Sequence, residues 1–414
     1  MKERGFLSRT FLNVTSDIGK LKAVLLHRPG KEIENLVPEY LERLLFDDIP
    51  YLKIAVEEHD AFARVLGDNG AAVYYIEEML AEVLKDTRIK ECFINDFLDE
   101  SNIISSSLKN ALFEYLVQLE GKALADTLIA GVRKKEVPQI KNQSLSELVV
   151  DKYQFYLDPM PNLYFTRDIG AVLGCGLTIN RMKTEARKRE SLLLKYIYEH
   201  HEIFKDVYAP LWYTRDMAYP IEGGDQIVLN REAIAIGCSE RTSPEAIELA
   251  ARNIFKGSPF KKVLVFDIPK CRAFMHLDTV FTMVDIDKFT IHPGIENPMN
   301  LYIITPAASG QIDISYQTNT LEKILKKELT LNEVDLIRCG GGDPIVAARE
   351  QWNDGSNTLA IAPGVVITYE RNYVSNELLE SHNIKVISIR SSEISRGRGG
   401  PRCMSMPLVR DDIN

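Results

Sequence analysis

The stretch QIVLNREAIAIGCSERTSPEAIELAARNIFKGSPFKKVLVFDIP, from Gln226 to Pro269, carries three patterns in succession. QIVLN and AIAIG are short Val/Ile-rich runs, the signature of a β-hairpin. SPEAIELAARNIFKG then places its apolar residues at helical spacing. KKVLVFDIP returns to a short apolar strand. The period moves from two to 3.6 and back, as a hairpin, helix and strand unit requires. Val and Ile in such strands suit burial beneath a helix.

Working outward, the same order recurs. Toward the C-terminus it appears as TVFTMVD and KFTIHPG, then TLEKILKKELT, then VDLIRCGGG (Thr279–Gly342). It appears again as TLAIAP and GVVITYERN, then SNELLESHN, then KVISIR (Thr358–Arg390). Toward the N-terminus, GAVLGCGLTI leads to TEARKRESLLLKYIYEHHEIF and DVYAPLWY (Gly170–Tyr213). The first copy is LKAVLLHR, helical PEYLERLLF and YLKIAVEEHDAFARVLGDNG, then AAVYYI (Leu21–Ile76). A module this small cannot bury its own face, so the five must pack on one another. Arranged about an axis they make a closed five-fold pseudo-symmetric α/β propeller of ββαβ-type modules; periodicity alone leaves an ordinary open α/β sheet as the alternative. The rhythm breaks once. EEMLAEVLKD, IKECFINDFLDE, SSSLKNALFEYLVQLEGKALADTLIAGVRKK and LSELVVDKY read as helices with no strand pattern, an inserted α-helical bundle. The expected division is a catalytic propeller over 1–75 and 156–414, with the insertion at 76–155.

Composition narrows the class. At 414 residues, 45% of them hydrophobic, the chain has ample material for a core and room for one large domain or two. A net charge of −9 argues against a nucleic-acid or anionic-membrane partner and weakly favours a cationic substrate. The six cysteines are scattered without a C-x-x-C pair, which speaks against a zinc ribbon or disulfide framework and for a reducing compartment. MKERGFLSRTFLNVTSD has no apolar targeting core, and no apolar run reaches membrane-spanning length. A cytoplasmic protein is expected.

Polar clusters follow the closing strand of each module: NLYFTRD (Asn162–Asp168), IEGGD (Ile221–Asp225), MHLDT (Met275–Thr279), CGGGD (Cys339–Asp343) and SRGRGGPRC (Ser395–Cys403). Singly, each has an ordinary reading. FTRD can be a strand-end ion pair, EGGD a glycine turn, His276 a core histidine, the basic tail a flexible loop and Cys403 a small buried hydrophobe. In register with the repeat, they converge at one end of the axis and collect Asp168, Glu222, His276, Asp278 and Cys403 into one site.

At these residues the sequence resembles the arginine deiminases, of the guanidine-modifying superfamily built on a five-bladed propeller. The likeness runs from LLFDDIPYL (Leu44–Leu52) through FTRD, ARKRE (Ala186–Glu190), EGGD, SERTSPEA (Ser239–Ala246), MHLDT and WNDGSNTLAIAPGVVITYERN to RGRGGPRCMSMP. It implies hydrolysis of free L-arginine to L-citrulline and ammonia, with Cys403 as nucleophile and His276 as general acid/base. It further implies that Asp168 and Asp278 hold the guanidinium while Glu222 supports the reacting nitrogens and His276. Asn162, Arg187 and Arg241 look like binders of the α-carboxylate end, Phe165 a pocket wall, and Gly397 and Arg398 part of a closing loop. A guanidinium is a poor electrophile; paired carboxylates fix its plane, and a thiol is a better nucleophile toward it than a hydroxyl. No metal and no organic cofactor is needed, and a homo-oligomer, dimer or higher, is expected.

Other classes remain. A metal-dependent hydrolase would use His276, Asp168, Asp278 and Glu222 as ligands, but only one histidine lies in the clusters and no H-x-x-x-H spacing occurs. A non-catalytic amino-acid-binding propeller has no need of Cys403 and His276 together. Within the superfamily, two arginines for a carboxylate disfavour agmatine, and the helical insertion disfavours the smaller dimethylarginine hydrolases; an amidinotransferase is the remaining relative.

Overall fold

The computed structural model describes residues 11–137, 153–205, 207–296 and 299–413. β1 (Leu21–Leu26) and β2 (Ala72–Tyr75) run parallel, with the helix Leu52–Asp68 between them in sequence. A short β3 (Val132–Arg133) pairs antiparallel with β4 (Phe155–Leu157). β5 (Gly170–Leu173) and β6 (Gly176–Ile179) form a hairpin, and after the helix Glu190–His200, β7 (Leu211–Tyr213) joins β6 in parallel. β8 (Gln226–Asn230), β9 (Ala233–Cys238), the helix Pro244–Gly257 and β10 (Lys262–Asp267) repeat that order. So do β11 (Phe281–Met283) and β12 (Lys288–Ile291), which end, beyond the hairpin β13 (Asn300–Pro306) and β14 (Ile312–Gln317), with the helix Leu321–Glu328 and β15 (Asp335–Arg338). β16 (Leu359–Ala362), β17 (Val365–Tyr369), the helix Tyr373–Ser381 and β18 (Lys385–Ile389) make another copy.

The first copy is completed from the far end of the chain. β19 (Met406–Arg410) lies antiparallel to β1, with Leu25 opposite Met406 and Val24 opposite Pro407. The order β19-β1-β2 thereby matches β5-β6-β7. Apart from the two-stranded β3–β4 pair, each sheet contains a strand with an antiparallel neighbour on one side and a parallel one on the other. The central strands are apolar because they are covered: every residue of β9 is buried. The helix Pro244–Gly257 covers its sheet with Ala246, Ile247, Ala250, Ala251 and Ile254, one helical face, and is capped by Ser243, which accepts from the Ala246 amide.

Four expectations are corrected. The hairpin β13–β14 adds to β10 and widens that sheet; it falls inside the copy Thr279–Gly342, between β12 and the helix Leu321–Glu328, where the expected hairpin, helix and strand order has no place for it. PEYLERLLF is not an α-helix: a 3₁₀ turn at Pro38–Tyr40 gives way to turns ending with Leu45 at φ 58°, pinned because Asn162 Nδ2 takes the Leu44 carbonyl. The long helix of the insertion is broken, since Gly121 at φ 44° separates Ser106–Val117 from Gly121–Ala130. The insertion is also not purely helical, because it contains β3, too short to show alternation. The helix expected at LSELVVDKY lies, from Leu145 to Lys152, outside the described residues.

The insertion helices Ile76–Val83 and Thr87–Asp99 precede those two. Their Phe93 and Phe97, with Leu112 and Leu128, share one apolar cluster with Leu173, Leu193 and Ile254 of neighbouring modules. Among the described residues no helix is long and apolar enough to cross a membrane.

Leu408, 2% exposed at the β19–β1 seam, tests the pairing of the two chain ends. Leu408→Ala is expected to lower stability by about 2–4 kcal/mol, read as a fall in the urea midpoint.

Candidate active site

The loops that lead into the first strand of each sheet carry the site. Asp168 stands just ahead of β5, Glu222 ahead of β8, His276 and Asp278 ahead of β11, and Cys403 ahead of β19. Backbone bonds splice these loops together: the Gly223 amide donates to the Asp168 carbonyl, and the Arg167 amide to the Cys403 carbonyl. Asp225 fastens a third loop by accepting from the Leu277 amide at 2.8 Å and from Ser239 Oγ at 2.7 Å. Gly224 is required by close approach, since a Cβ there would sit 2.8 Å from the His276 ring.

His276 Nε2 lies 2.8 Å from Glu222 Oε2, and its Nδ1 3.7 Å from Asp168 Oδ1. Burial alone would lower the imidazole pKa; Asp168, the Glu222 hydrogen bond and Asp225 outweigh it and raise it to about 9. Burial pushes Glu222 the other way, but Arg241, 3.6 Å off, and His276 hold it down to about 2. Cys403 Sγ lies 3.8 Å and 3.9 Å from the two Asp278 oxygens. Burial raises the thiol pKa well above its ordinary value, Asp278, Asp168 and Asp354 raise it further, and Arg402 opposes them.

Asn162, Phe165, Asp168, Arg187, Arg241, His276, Gly397, Arg398 and Cys403 line one cavity of about 20 Å³. That is room for about one water-sized sphere, so the rim must part to admit anything larger. The rim is clipped shut by Asp47–Arg272 at 2.7 Å and by Asp48–Arg396. Gly397 is fixed by contact, because a Cβ there would strike Tyr164, Phe46 and Phe165. Arg398 adopts φ 64° and stacks on Trp352 at 3.4 Å. Glu222 and Asp278 stand one layer back, behind His276 and Cys403 respectively.

Arg187 is held by neighbours: Nη1 donates to Asp168 Oδ2 at 2.5 Å and Nε to Glu190 Oε2 at 2.9 Å. Asp168 Oδ1 and Arg241 Nε, both buried, have no hydrogen-bond partner among the described residues. Donor atoms of Asp168, Glu222 and His276 fall within 4.8 Å of one another, close enough for a metal. Arg187 and Arg241 are ion-paired with two of these carboxylates, however, which reduces the negative charge left to hold a divalent ion.

CGGGD does not join the site. Cys339 is buried against Ser375, and Asp343 caps the helix Pro344–Trp352, which separates this segment from β16. The place falls to NDGSN: Asn357 Oδ1 accepts from the Cys403 amide at 3.0 Å while its Nδ2 donates to the Asp278 carbonyl at 3.0 Å. Asn357 and Asp354 belong to a segment the resemblance already contained, directly ahead of a first strand. Arg402 and Asp17, joined at 2.7 Å beside Asp278, were also missed, and Asp17 offered no local signal at all.

A thiol, an imidazole and a bank of carboxylates around one small cavity define an enzyme that attacks a cationic carbon centre. Solved structures agree on the fold. An amidinotransferase of a saxitoxin biosynthetic pathway from Microseira wollei aligns over 97% of this chain and 98% of its own at TM-score 0.54 and 14% identity. A dimethylarginine dimethylaminohydrolase adduct with S-methyl-L-thiocitrulline aligns over 93% and 99% at TM-score 0.51 and 13% identity. Residues 42–410 match the arginine deiminase family. The arginine deiminases of Bacillus cytotoxicus and Clostridium perfringens are 55% and 54% identical to it, each over 97% of this chain and 99% and 98% of their own. The chain belongs to the arginine deiminase family, and is an amidine-hydrolysing enzyme that converts arginine to citrulline.

The raised His276 and lowered Glu222 set a stability window. The histidine's contribution is complete below its unfolded value of 6.5 and is lost as pH rises through about 9. That of Glu222 is present above 4.5 and is lost as pH falls toward about 2. His276→Asn is therefore expected to lag wild type most, in urea midpoint, between these bounds, with the gap shrinking above pH 9.

Proposed function

We propose that Cys403 attacks the guanidinium carbon of free L-arginine while Asp168 and Asp278 hold its nitrogens. The observation that carries this reading is that Asp168 Oδ1 and Arg241 Nε, of residues lining the cavity with Cys403 and His276, are buried without a hydrogen-bond partner among the described residues. One buried acceptor atom and one buried donor atom complement a substrate with a guanidinium at one end and a carboxylate at the other. Glu222 orients His276, Asn162 and Arg187 support the carboxylate end, Phe165 forms a wall, and Gly397 and Arg398 belong to the loop that closes.

The thiol releases its proton to solvent as the substrate's cation arrives, which offsets the surrounding carboxylates. Sulfur bonds to the guanidinium carbon and yields a neutral tetrahedral adduct. Protonated His276, its pKa raised to about 9, gives its proton to one nitrogen, and ammonia leaves. The cationic thiouronium left on Cys403 is attacked by water, whose proton goes to the now neutral His276. Collapse expels the sulfur, the hydroxyl proton passing to it to restore the thiol, and citrulline leaves with the urea carbonyl. No step calls on a metal or organic cofactor.

Beyond the mixed α/β sheets, the reading includes closure of the five copies into a ring, supported by β19 pairing with β1 across the chain ends. The stretch 76–155 is proposed as a helical insertion beside a propeller made of 1–75 and 156–414, and the enzyme as cytoplasmic. A homo-oligomer is supported by β14, a sheet edge without Lys or Pro that exposes Ile314 and Tyr316.

Cys403→Ser is expected to fold and to release no measurable citrulline, because a hydroxyl lacks thiolate character; citrulline production near wild type would remove the nucleophile assignment. Arg241→Ala should weaken arginine by about 1.5–3 kcal/mol, roughly 10- to 100-fold, while agmatine inhibition, lacking a carboxylate to lose, changes little. Equal losses for both ligands would place Arg241 elsewhere in the mechanism.

A further inference from the structure

Arg402 precedes the nucleophile and is 2% exposed. Its Nη1 donates to Asp278 Oδ2 at 2.6 Å. Its Nη2 and Nε donate to Asp17 Oδ2 at 2.7 Å and 3.2 Å, and Nη2 also reaches the Gln226 carbonyl at 2.9 Å. Asp17 is itself buried and anchored, its Oδ1 accepting from the Val228 amide of β8. A rigid line therefore runs from the N-terminal segment through Asp17 and Arg402 to Asp278, and ends 3.8 Å from Cys403 Sγ. The guanidinium fork is geometrically suited to this: it binds two carboxylates at fixed angles, which an ammonium cannot.

A carboxylate so near a thiol does two things. It repels the thiolate, and, if free to turn, it can grip a cationic substrate through both oxygens and hold it out of line with sulfur. Arg402 addresses both. It occupies Oδ2, so only Oδ1 remains to be shared, and it brings positive charge beside the sulfur. We propose that Arg402, clamped by Asp17, is a positioning residue for the reaction, fixing Asp278 through one oxygen and balancing its charge next to Cys403. This rests on the roles given above to Asp278 and Cys403. The charged and titratable groups facing the thiol are Asp278, Asp168 and Asp354 against it and Arg402 for it, with Tyr164 and Tyr369 packed behind and His276 and Arg398 across the cavity. Asp17 is in turn surrounded by Arg402, Arg167 and Arg410, which keep it ionised.

The test compares the full chain with Arg402→Gln, Arg402→Lys and Asp17→Asn. The readouts are the pH dependence of iodoacetamide inactivation without arginine, and kcat and KM for arginine. Removing the arginine's charge should move the thiol profile up by about one pH unit, which makes inactivation roughly tenfold slower at any pH below the midpoint. The kcat should fall by roughly tenfold or more while KM stays level or drops, because the freed Asp278 holds the substrate more firmly but less productively. Arg402→Lys should recover part of the thiol shift but not the kcat, and Asp17→Asn should move both in the same direction by less. A folded Arg402→Gln with wild-type inactivation and an unchanged kcat overturns the proposal, as does a loss that follows melting temperature alone. If Arg402→Gln does not fold, Asp17→Asn decides: an upward thiol shift supports the proposal and none overturns it. Turnover by Cys403→Ser would instead overturn the catalytic reading itself, so the two failures are distinguishable.

Discussion

A charge taken out of water must be met by an opposite charge or be neutralised, and the centre of this enzyme is arranged around that requirement. Asp168, Glu222 and Asp278 are all buried, and each has a cationic partner: Arg187, Arg241 with His276, and Arg402. Burial alone raises a carboxyl, as it does Asp225, pushed up to about 7. In the proposed mechanism the paired carboxylates face a cation with delocalised charge. The same pairing leaves His276 protonated at neutral pH, the state in which it can release ammonia. In the proposed mechanism substrate recognition and proton transfer are two results of one electrostatic arrangement, and the folded sheets serve to bring its members together from distant parts of the chain.

Much of this was legible in the sequence because the repeat supplies a ruler. Five hairpin, helix and strand units gave the sheets and their order, and a polar residue at the same place in several units marked Asp168, Glu222, His276 and Cys403 as neighbours. The ruler failed where extra elements interrupt the rhythm. CGGGD lies at the expected phase, but the helix Pro344–Trp352 displaces it and hands the position to Asn357. The hairpin β13–β14 reads clearly as strands yet belongs to a sheet begun before it. Arg402 was hidden by its setting: in a run of Gly and Arg it resembles a loose basic loop, and its partners lie far away in sequence. Nothing local to Asp17 foretells an arginine at the other end of the chain. Pairing of buried charges over such separations depends on the finished packing, which no window of sequence contains.

The pairing of β19 with β1 has a consequence for how the enzyme comes into being. The strand that completes the sheet of β1 follows Cys403 in the sequence, so that sheet stays incomplete until Met406–Arg410 has been made. During translation the intervening units can form hairpins and helices as they emerge, but the sheet begun by Leu21–Leu26 keeps an unpaired side until Met406–Arg410 appears. Closing a loop of that length is slow rather than prohibitive, since its entropic cost grows only logarithmically. A nascent chain therefore carries Asp168, Glu222, His276 and Asp278, and much of its fold, before it carries Cys403 and the strand that follows it.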